Sequence, residues 1–149
     1  MKFNFRLQSV LDYRQSLVDR ATGELAHAQI VLSQAEERLS RLRHEERATM
    51  ARLADQERSV LDLPQLLQLQ EHLVVLSSRL VDQATAVAHA KAAADEQQAR
   101  VLELTKDLKA LEKLRDRKSE EWQQESRRLE QMEMNELAAR QHRFLRAVS

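Results

Sequence analysis

The chain has 149 residues, about the length of one domain, and its 24 basic side chains balance its 24 acidic ones. It contains one glycine, one proline, five aromatic residues and no cysteine. Sheets, barrels and doubly wound folds need clusters of turn residues, so Gly23 and Pro64 alone make these folds very improbable. A chain in which 32% of the residues are charged, and in which Ala and Leu are abundant, is instead typical of long α-helices.

The same composition argues against an enzyme. Without cysteine there is no thiolate nucleophile or Cys-based zinc site, and one glycine cannot form a phosphate-binding loop. No two of the five histidines stand three or four residues apart, so no helix face offers a paired metal site. We therefore predict no catalytic residue, no metal and no cofactor. No apolar run approaches the roughly 18 residues of a membrane span or forms a signal peptide, which predicts a soluble chain without membrane insertion. The lack of cysteine suits a reducing cytoplasm.

The first predicted element is a long helix with a seven-residue apolar repeat. Seven of the nine a positions counted from Asn4 are apolar, as are five of the eight d positions counted from Leu7. A heptad repeat sustained over this length is typical of a left-handed coiled coil. The sequence predicts this helix over about residues 3–60, and Gly23 within it should cost about 1 kcal/mol relative to alanine.

A single break follows, because Pro64 would kink a continuous helix but is tolerated in a first turn. Asp62 can cap the second helix, with Gln65 three residues later completing a capping-box pattern. We predict a reversal at residues 61–64 and a second helix over about residues 64–146. Connections this short usually join antiparallel neighbours.

The second helix repeats the heptad pattern and then extends beyond the end of the first helix. All seven a positions from Leu66 to Leu108 are apolar, and the pattern thins after Leu111. If the reversal is centred near residue 63, residue i faces residue 126 − i, and Asn4 lies opposite Trp122. About 25 C-terminal residues, at 1.5 Å each, would then have no intramolecular partner. We predict an all-α fold, a long two-helix antiparallel coiled-coil hairpin with a C-terminal helical overhang, forming one domain over residues 1–149 and monomeric in isolation.

All five aromatic residues map to the open end of this hairpin or to the overhang. Phe3, Phe5 and Trp122 close the apolar seam where it would fray, which is the interpretation that we favour for these three residues. Aromatic residues are also frequent interface anchors, so Trp122 and Phe144 remain contact candidates. The last ten residues carry Arg140, Arg143 and Arg146 and no acid, which makes the tip mildly basic. Elsewhere the charges are mixed in sign, so we expect no nucleic-acid partner.

Three segments resemble the bacterial flagellar export protein FliJ family. They are the opening pattern Phe3-x-Phe5-x-Leu7-x-x-Val10-Leu11-x-x-Arg14, the run LEKLRDRK at 111–118, and MNELAAR at 134–140. The length, the helical prediction and the position of the break agree with that family. The resemblance implies a stalk of the flagellar type III export apparatus, similar to the central stalk of rotary ATPases. It implies a location in the cytoplasm, peripheral to the inner membrane at the flagellar base.

The resemblance also implies the partners: a hexameric FliI-like export ATPase that the protein binds and stimulates, an FlhA-like export gate protein, and export chaperones. By that analogy the open end and overhang enter the ATPase ring, with contacts expected from Phe3, Phe5, Trp122, Leu129, Met132, Leu137 and Arg140. The gate-contacting segment would follow the reversal, with Leu69, Gln70, His72 and Leu76 as the matching residues. Both aromatic positions of the family's gate pattern are replaced here, and Leu76 falls on the seam, where burial in the hairpin is expected.

Two other functions fit the same pattern. The equivalent stalk of a virulence-type injectisome is a close relative, although Phe3-x-Phe5 and the Asn135–Ala138 segment favour the flagellar branch. A structural scaffold that dimerises as a parallel coiled coil belongs to a different class. Pro64 opposes the scaffold, because a continuous parallel coiled coil would kink at that residue.

Overall fold

A computed structural model describes residues 2–58 and 62–148 of the chain. Two long helices account for nearly all of them: α1 spans Gln8–Arg58 and α2 spans Leu63–Val148. The two helices pack against each other, and no strand occurs in these two ranges, so the predicted helical hairpin is confirmed. The predicted end of the first helix near Val60, and Leu61 of the predicted reversal, lie outside the described residues.

The buried residues follow the predicted heptads. Along α1, the a and d positions from Leu11 to Gln56 are all buried or half-buried. Along α2, the same holds for the a and d positions from Leu66 to Leu111. Beyond Leu111 the burial pattern departs from that heptad, since Ser119 and Ser126 are half-buried whereas Lys118 at the expected d position is exposed. The strict seven-residue repeat therefore ends where the apolar pattern thins in the sequence.

The start of α1 differs from the prediction. The helix begins at Gln8 rather than near residue 3, and residues 2–5 adopt no regular secondary structure. The amide of Gln8 donates to the carbonyl of Phe5 at 3.1 Å, and the Gln8 side chain bonds Asp12 one turn later. Residues 3 and 5 would point about 200° apart on a helix. Without helical structure there, Phe3 and Phe5 both reach the same apolar cluster.

The start of α2 matches the capping prediction in its backbone. The carbonyl of Asp62 accepts the amide of Leu66 at 3.0 Å, so Asp62 occupies the N-cap position and Pro64 lies in the first turn. Proline is tolerated there because the first amides of a helix have no partner within it. The single proline therefore accompanies the start of a helix and does not interrupt one.

The described residues form two units by their contacts. One unit comprises Met1–Val18 and Leu104–Ser149, and the other comprises Asp19–Glu103. In the first unit, Arg14 pairs with Asp107 at 3.2 Å, and the core cluster is Phe5, Leu11 and Leu108. The prediction of a single domain over residues 1–149 stays a prediction.

Polar groups at the seam of the second unit cross-link its antiparallel helices. Gln97 donates to Glu24 at 2.6 Å, Gln83 donates to the carbonyl of Ala35 at 3.0 Å, and His72 bonds Glu45 at 3.2 Å. The residue numbers rise on α1 as they fall on α2, which establishes the antiparallel direction within this unit.

The register differs from the rule that residue i faces residue 126 − i. That rule pairs Arg14 with residue 112, but Arg14 bonds Asp107; it pairs Glu24 with residue 102, but Glu24 bonds Gln97. The reversal assumed near residue 63 was placed too late. Because α1 ends at Arg58 and α2 begins at Leu63, the expected sum of two facing residue numbers is about 121 rather than 126, and both of these pairs have that sum.

Candidate functional site

The open end of the hairpin carries an aromatic pair above an apolar groove. The rings of Phe3 and Trp122 lie with their centroids 6.1 Å apart and their planes tilted by 53°, a separation within the range of favourable aromatic pairs. Phe5 is buried in the core beneath them, with only 8% of its surface exposed. Both rings of the pair are half-buried. The chain therefore uses Phe5 for packing, while Phe3 and Trp122 retain surface that a partner can contact.

The groove beside this pair has a volume of about 650 Å³ and a mostly apolar lining. It is lined by Phe3, Asn4, Phe5, Arg6, Leu7, Leu114, Lys118, Glu121, Trp122 and Glu125. Charged side chains border it in pairs: Lys118 meets Glu121 at 3.5 Å, and Glu125 meets Arg128 at 2.6 Å. An apolar side chain of a partner could enter this groove, and the surrounding charges would favour a partner of complementary polarity.

Arg128 connects the border of the groove to the overhang. Its guanidinium donates two hydrogen bonds to the Glu125 carboxylate and a third, at 3.4 Å, to the sulfur of Met132. The hydrogen bonds from Arg128, aided by its charge, hold the pKa of the Glu125 carboxyl below its ordinary value. The same interactions raise the pKa of Arg128. Both groups are therefore charged near neutral pH.

The overhang is exposed on every face. All residues from 127 to 148 are exposed, in contrast to the a and d positions up to Leu111, which are buried or half-buried. Leu129 and Met132, both 49% exposed, fall at the a and d positions counted from Leu66 and lie beyond Ser126, the last half-buried residue of α2. Leu137 and Arg140 are exposed as well. Four of the seven residues expected at the ATPase are thus exposed, Phe3 and Trp122 are half-buried, and Phe5 is buried in the core, so the expectation that Phe5 contacts the ATPase directly is wrong for this structure.

The expected ATPase contacts do not share one face. At about 100° per residue, Met132 and Arg140 lie within about 60° of Leu129 around the helix, whereas Leu137 lies about 80° away on the far side of Arg140. Leu137 aligns instead with Met134 and Phe144, which are also exposed. The overhang therefore presents two distinct apolar surfaces. They were not separated at the level of the sequence, because the overhang was treated there as the thinning end of one heptad pattern.

Three of the four residues expected at the export gate are buried or half-buried in the hairpin. Leu76 is fully buried, with 0% of its surface exposed, as its seam position predicts. Leu69 is half-buried at its d position, and His72 is half-buried and bonded to Glu45 at 3.2 Å. Of these four residues, only Gln70 is exposed. Leu76 therefore stabilises the hairpin and its side chain offers nothing to a partner in this structure.

An exposed apolar surface lies beside these residues and was missed from the sequence. Met50, Val74 and Val81 are 50%, 71% and 66% exposed, and they border an open cavity of about 510 Å³ together with Leu73 and Glu46. Two serines, Ser77 and Ser78, also line it. The signal that could have revealed it was the presence of valine at two b positions of α2, where an exposed coiled-coil helix usually carries polar residues.

Two further properties bear on what such surfaces can do. Among residues 2–58 and 62–148, no three histidine or carboxylate side chains are grouped so that they could hold a metal ion. Over the same ranges, neither helix contains a segment apolar enough to cross a membrane. The fold and its surfaces define a coiled-coil protein that exposes apolar patches at its open end, along its overhang and near its reversal.

The chain matches the family described as Flagellar FliJ protein over residues 2–145. It therefore belongs to the FliJ family, as the motifs at its two ends indicate. The family is a non-enzymatic part of the flagellar export apparatus, so the chain is a component of that apparatus. No match was found among curated proteins or among solved structures.

Proposed function

We propose that the protein is a stalk-like adaptor that binds and stimulates the hexameric export ATPase through its open end and overhang. The observation that carries the proposal is the helix from residue 127 to residue 148, which is exposed on every face and follows a seam of a and d positions that is buried or half-buried up to Leu111. Leu129 and Met132 keep the heptad phase of that seam. They are therefore placed to pack against a partner as the preceding residues pack against α1.

The aromatic end supports the same role. Phe3 and Trp122 border an apolar groove at the base of the overhang, and buried aromatic anchors dominate the energy of many interfaces. The paired charges around the groove would orient a partner without supplying most of the affinity. Because the family is non-enzymatic, the protein would act by binding and the hydrolysis would belong to the ATPase.

The contact with the export gate is best assigned to the surface near the reversal. Gln70 and Val74 lie one turn apart on α2, and Met50 and Val81 extend the exposed patch. This assignment replaces Leu76 as a direct contact, because its side chain is buried. The export chaperones are a third partner class that the family suggests, and the protein would work in the cytoplasm beside the inner membrane at the flagellar base.

The ATPase proposal is tested by turnover of the hexameric export ATPase from the same organism, with increasing amounts of the protein. We expect stimulation by the native chain and at least about a tenfold increase in the half-maximal concentration for Leu129→Glu/Met132→Glu, equivalent to about 1.4 kcal/mol. The matched control is Gln124→Glu/Gln131→Glu, which adds the same charges on another face of the exposed helix and should behave as the native chain. No stimulation together with no co-purification would reject the proposal.

The gate proposal has its own binding experiment. Val74→Glu should weaken binding to the cytoplasmic domain of the gate protein, because it places a charge in the middle of the exposed patch. Leu102→Glu is the control, since Leu102 is also exposed on α2 but lies away from that patch. Equal losses for both variants would mean that the patch has no special role.

The antiparallel intrachain contacts also bear on the scaffold alternative. Residues that would face a second chain in a parallel dimer, such as Gln83 and Gln97, bond to α1 of the same chain. The hairpin seam is therefore already occupied. The choice between a flagellar and an injectisome stalk follows the family match, which favours the flagellum.

A further inference from the structure

A second heptad pattern runs along the outside of α2, out of phase with the hairpin seam. Positions 63, 67, 70, 74, 77, 81, 84 and 88 alternate spacings of four and three, which brings them onto one face of the helix. Every one of these side chains is exposed, and none is charged. We call this face the outer stripe; its members are Leu63, Leu67, Gln70, Val74, Ser77, Val81, Ala84 and Ala88.

The outer stripe is large enough for a stable interface. It runs over residues 63–88, about 39 Å at 1.5 Å per residue. Its four large apolar side chains are 50–71% exposed: Leu63, Leu67, Val74 and Val81. With the other four members, one copy exposes roughly 650 Å² along the stripe, more than most monomeric proteins leave uncovered in one patch. Two such faces together would cover roughly 1,300 Å², which is the standard size of a specific interface.

The sizes of these side chains suit a second copy in the reverse orientation. Both leucines lie at the N-terminal end of the outer stripe, and both alanines lie at its C-terminal end. A parallel pair would set leucine against leucine and alanine against alanine, so the axes could not keep one separation. If the numbers of two facing residues add up to 151, every large apolar side chain meets a smaller or polar one. The facing pairs are then Leu63 with Ala88, Leu67 with Ala84, Val74 with Ser77, and Val81 with Gln70.

From this pattern we infer that the outer stripe binds a second copy of the chain in antiparallel orientation when no other partner covers it. The alternating spacing of four and three is that of helices that pack knobs into holes. The inference replaces the expectation of a monomer in isolation. It does not depend on the ATPase or gate contacts proposed above.

Little charge opposes this pairing. The next two positions of the pattern are Lys91 and Asp95, which stand beyond the paired region. Glu71 flanks the outer stripe, and the antiparallel register sets it beside Ser78 of the second copy, whose hydroxyl can donate to a carboxylate. The nearest like charge is Asp82 of the second copy, which is exposed, so water and salt screen the repulsion. Since no ion pair holds the copies together, added salt should not weaken the dimer.

The other candidate occupants fit less well. A bilayer would accept the leucines and valines, but Gln70 and Ser77 lie in the middle of the outer stripe, and polar groups without a partner are costly in lipid. A strongly charged helix would find no charged position on the stripe with which to pair. The gate contact proposed above shares Gln70, Val74 and Val81, so a gate protein would have to displace the second copy.

Sedimentation equilibrium of the full-length protein alone tests the inference. With rising concentration the mass should approach twice the chain mass of 17.3 kDa. Val74→Glu/Val81→Glu should raise the dissociation constant of the dimer at least about tenfold, because symmetry places four added charges in one interface. The control Gln68→Glu/Val75→Glu adds two glutamates with the same spacing of seven on another exposed face and should leave the dissociation constant unchanged.

Disulfide cross-linking determines the orientation of the two copies, because the chain has no cysteine of its own. A mixture of Leu67→Cys and Ala84→Cys proteins should form a mixed covalent dimer, since these two positions face each other. Neither variant alone should link to itself, because the two copies of residue 67 are about 25 Å apart along an antiparallel pair.

Three results would each overturn the inference: a monomer at every concentration, equal effects of the two double variants, or single-cysteine variants that link to themselves. A dimer that dissociates on addition of salt would also overturn it, because ion pairs would then hold the copies together. Binding to phosphatidylglycerol vesicles that requires Val74 and Val81, by a chain that sediments as a monomer, would assign the stripe to a membrane. Neither the gate protein nor the ATPase takes part in these measurements, so their outcome is separate from that of the proposed function.

Discussion

Replacing Leu76 with alanine should show that this residue supports the fold. The side chain is fully buried in the hairpin seam, and Leu76→Ala removes three carbon atoms from it. At about 0.8 kcal/mol per buried methylene group, the loss of transfer free energy alone is about 2.4 kcal/mol. A cavity that the surrounding side chains fill only in part raises the expected loss of unfolding free energy to about 3–4 kcal/mol.

Urea denaturation followed by circular dichroism measures this loss from the shift in midpoint at unchanged slope. The control is Leu102→Ala, because Leu102 is 57% exposed on the same helix and its truncation should change stability by less than about 0.5 kcal/mol. A loss below about 1 kcal/mol for Leu76→Ala would refute the packing argument. If the prediction holds, weaker gate binding by Leu76 variants would have to be attributed to unfolding, unlike the effect of Val74→Glu.

Three further predictions concern single positions. Gly23→Ala should raise the unfolding free energy by about 1 kcal/mol in urea, because a methyl group there meets no atom within 4 Å and alanine favours helix; a decrease would contradict it. Thr49→Val should raise the unfolding free energy by about 0.5–1 kcal/mol, measured as a higher melting temperature. Thr49 is buried, and the hydrogen bond from its hydroxyl back to the Glu45 carbonyl slightly destabilises a helix. The pKa of Glu125, measured by NMR, should lie below its ordinary value and return to it in Arg128→Gln. Because the folded-state pKa is lowered, the small contribution of this exposed pair is present above the ordinary pKa and is lost as the pH falls through the lowered one.

The fold was accessible from the sequence because its main determinant is periodic. The heptad positions from Leu11 to Leu111 are the positions that the structure buries, and the only proline marks the start of α2. Periodicity reports which face of a helix is covered, and it does so regardless of which helix covers it. It does not report the register, since a hairpin shifted by a few residues retains an apolar seam. Contacts such as Arg14 with Asp107 are needed to fix it.

The start of α1 was missed for a related reason. The heptad count from Asn4 extended the helix over residues 3–7, but the spacing of Phe3 and Phe5 follows a period of two. Two aromatic side chains that must reach one cluster from alternate positions cannot both do so from a helix. Packing against Leu108 and its neighbours therefore outweighs the helical propensity of five residues at the end of the chain.

The candidate sites were only partly predictable. The resemblance directed attention to both ends of the hairpin, but it grouped Leu129 with Leu137 and placed Leu76 at a partner surface. The angular positions around the helix separate Leu129 from Leu137, and the lack of solvent exposure assigns Leu76 to the core. The exposed Val74 and Val81 had no counterpart in the family pattern, so the sequence offered only their unusual apolar character.

The stalk role is tested most directly by site-specific cross-linking to the export ATPase. The native chain has no cysteine, so one cysteine introduced at residue 129 or 132 carries a photoreactive label at a unique position. With the assembled hexamer, labels at these two positions should cross-link to the ATPase, whereas a label at the exposed residue 102 should not. The proposal would be contradicted if labels at residues 129 and 132 gave no cross-link, or if a label at residue 102 cross-linked at least as efficiently as they do.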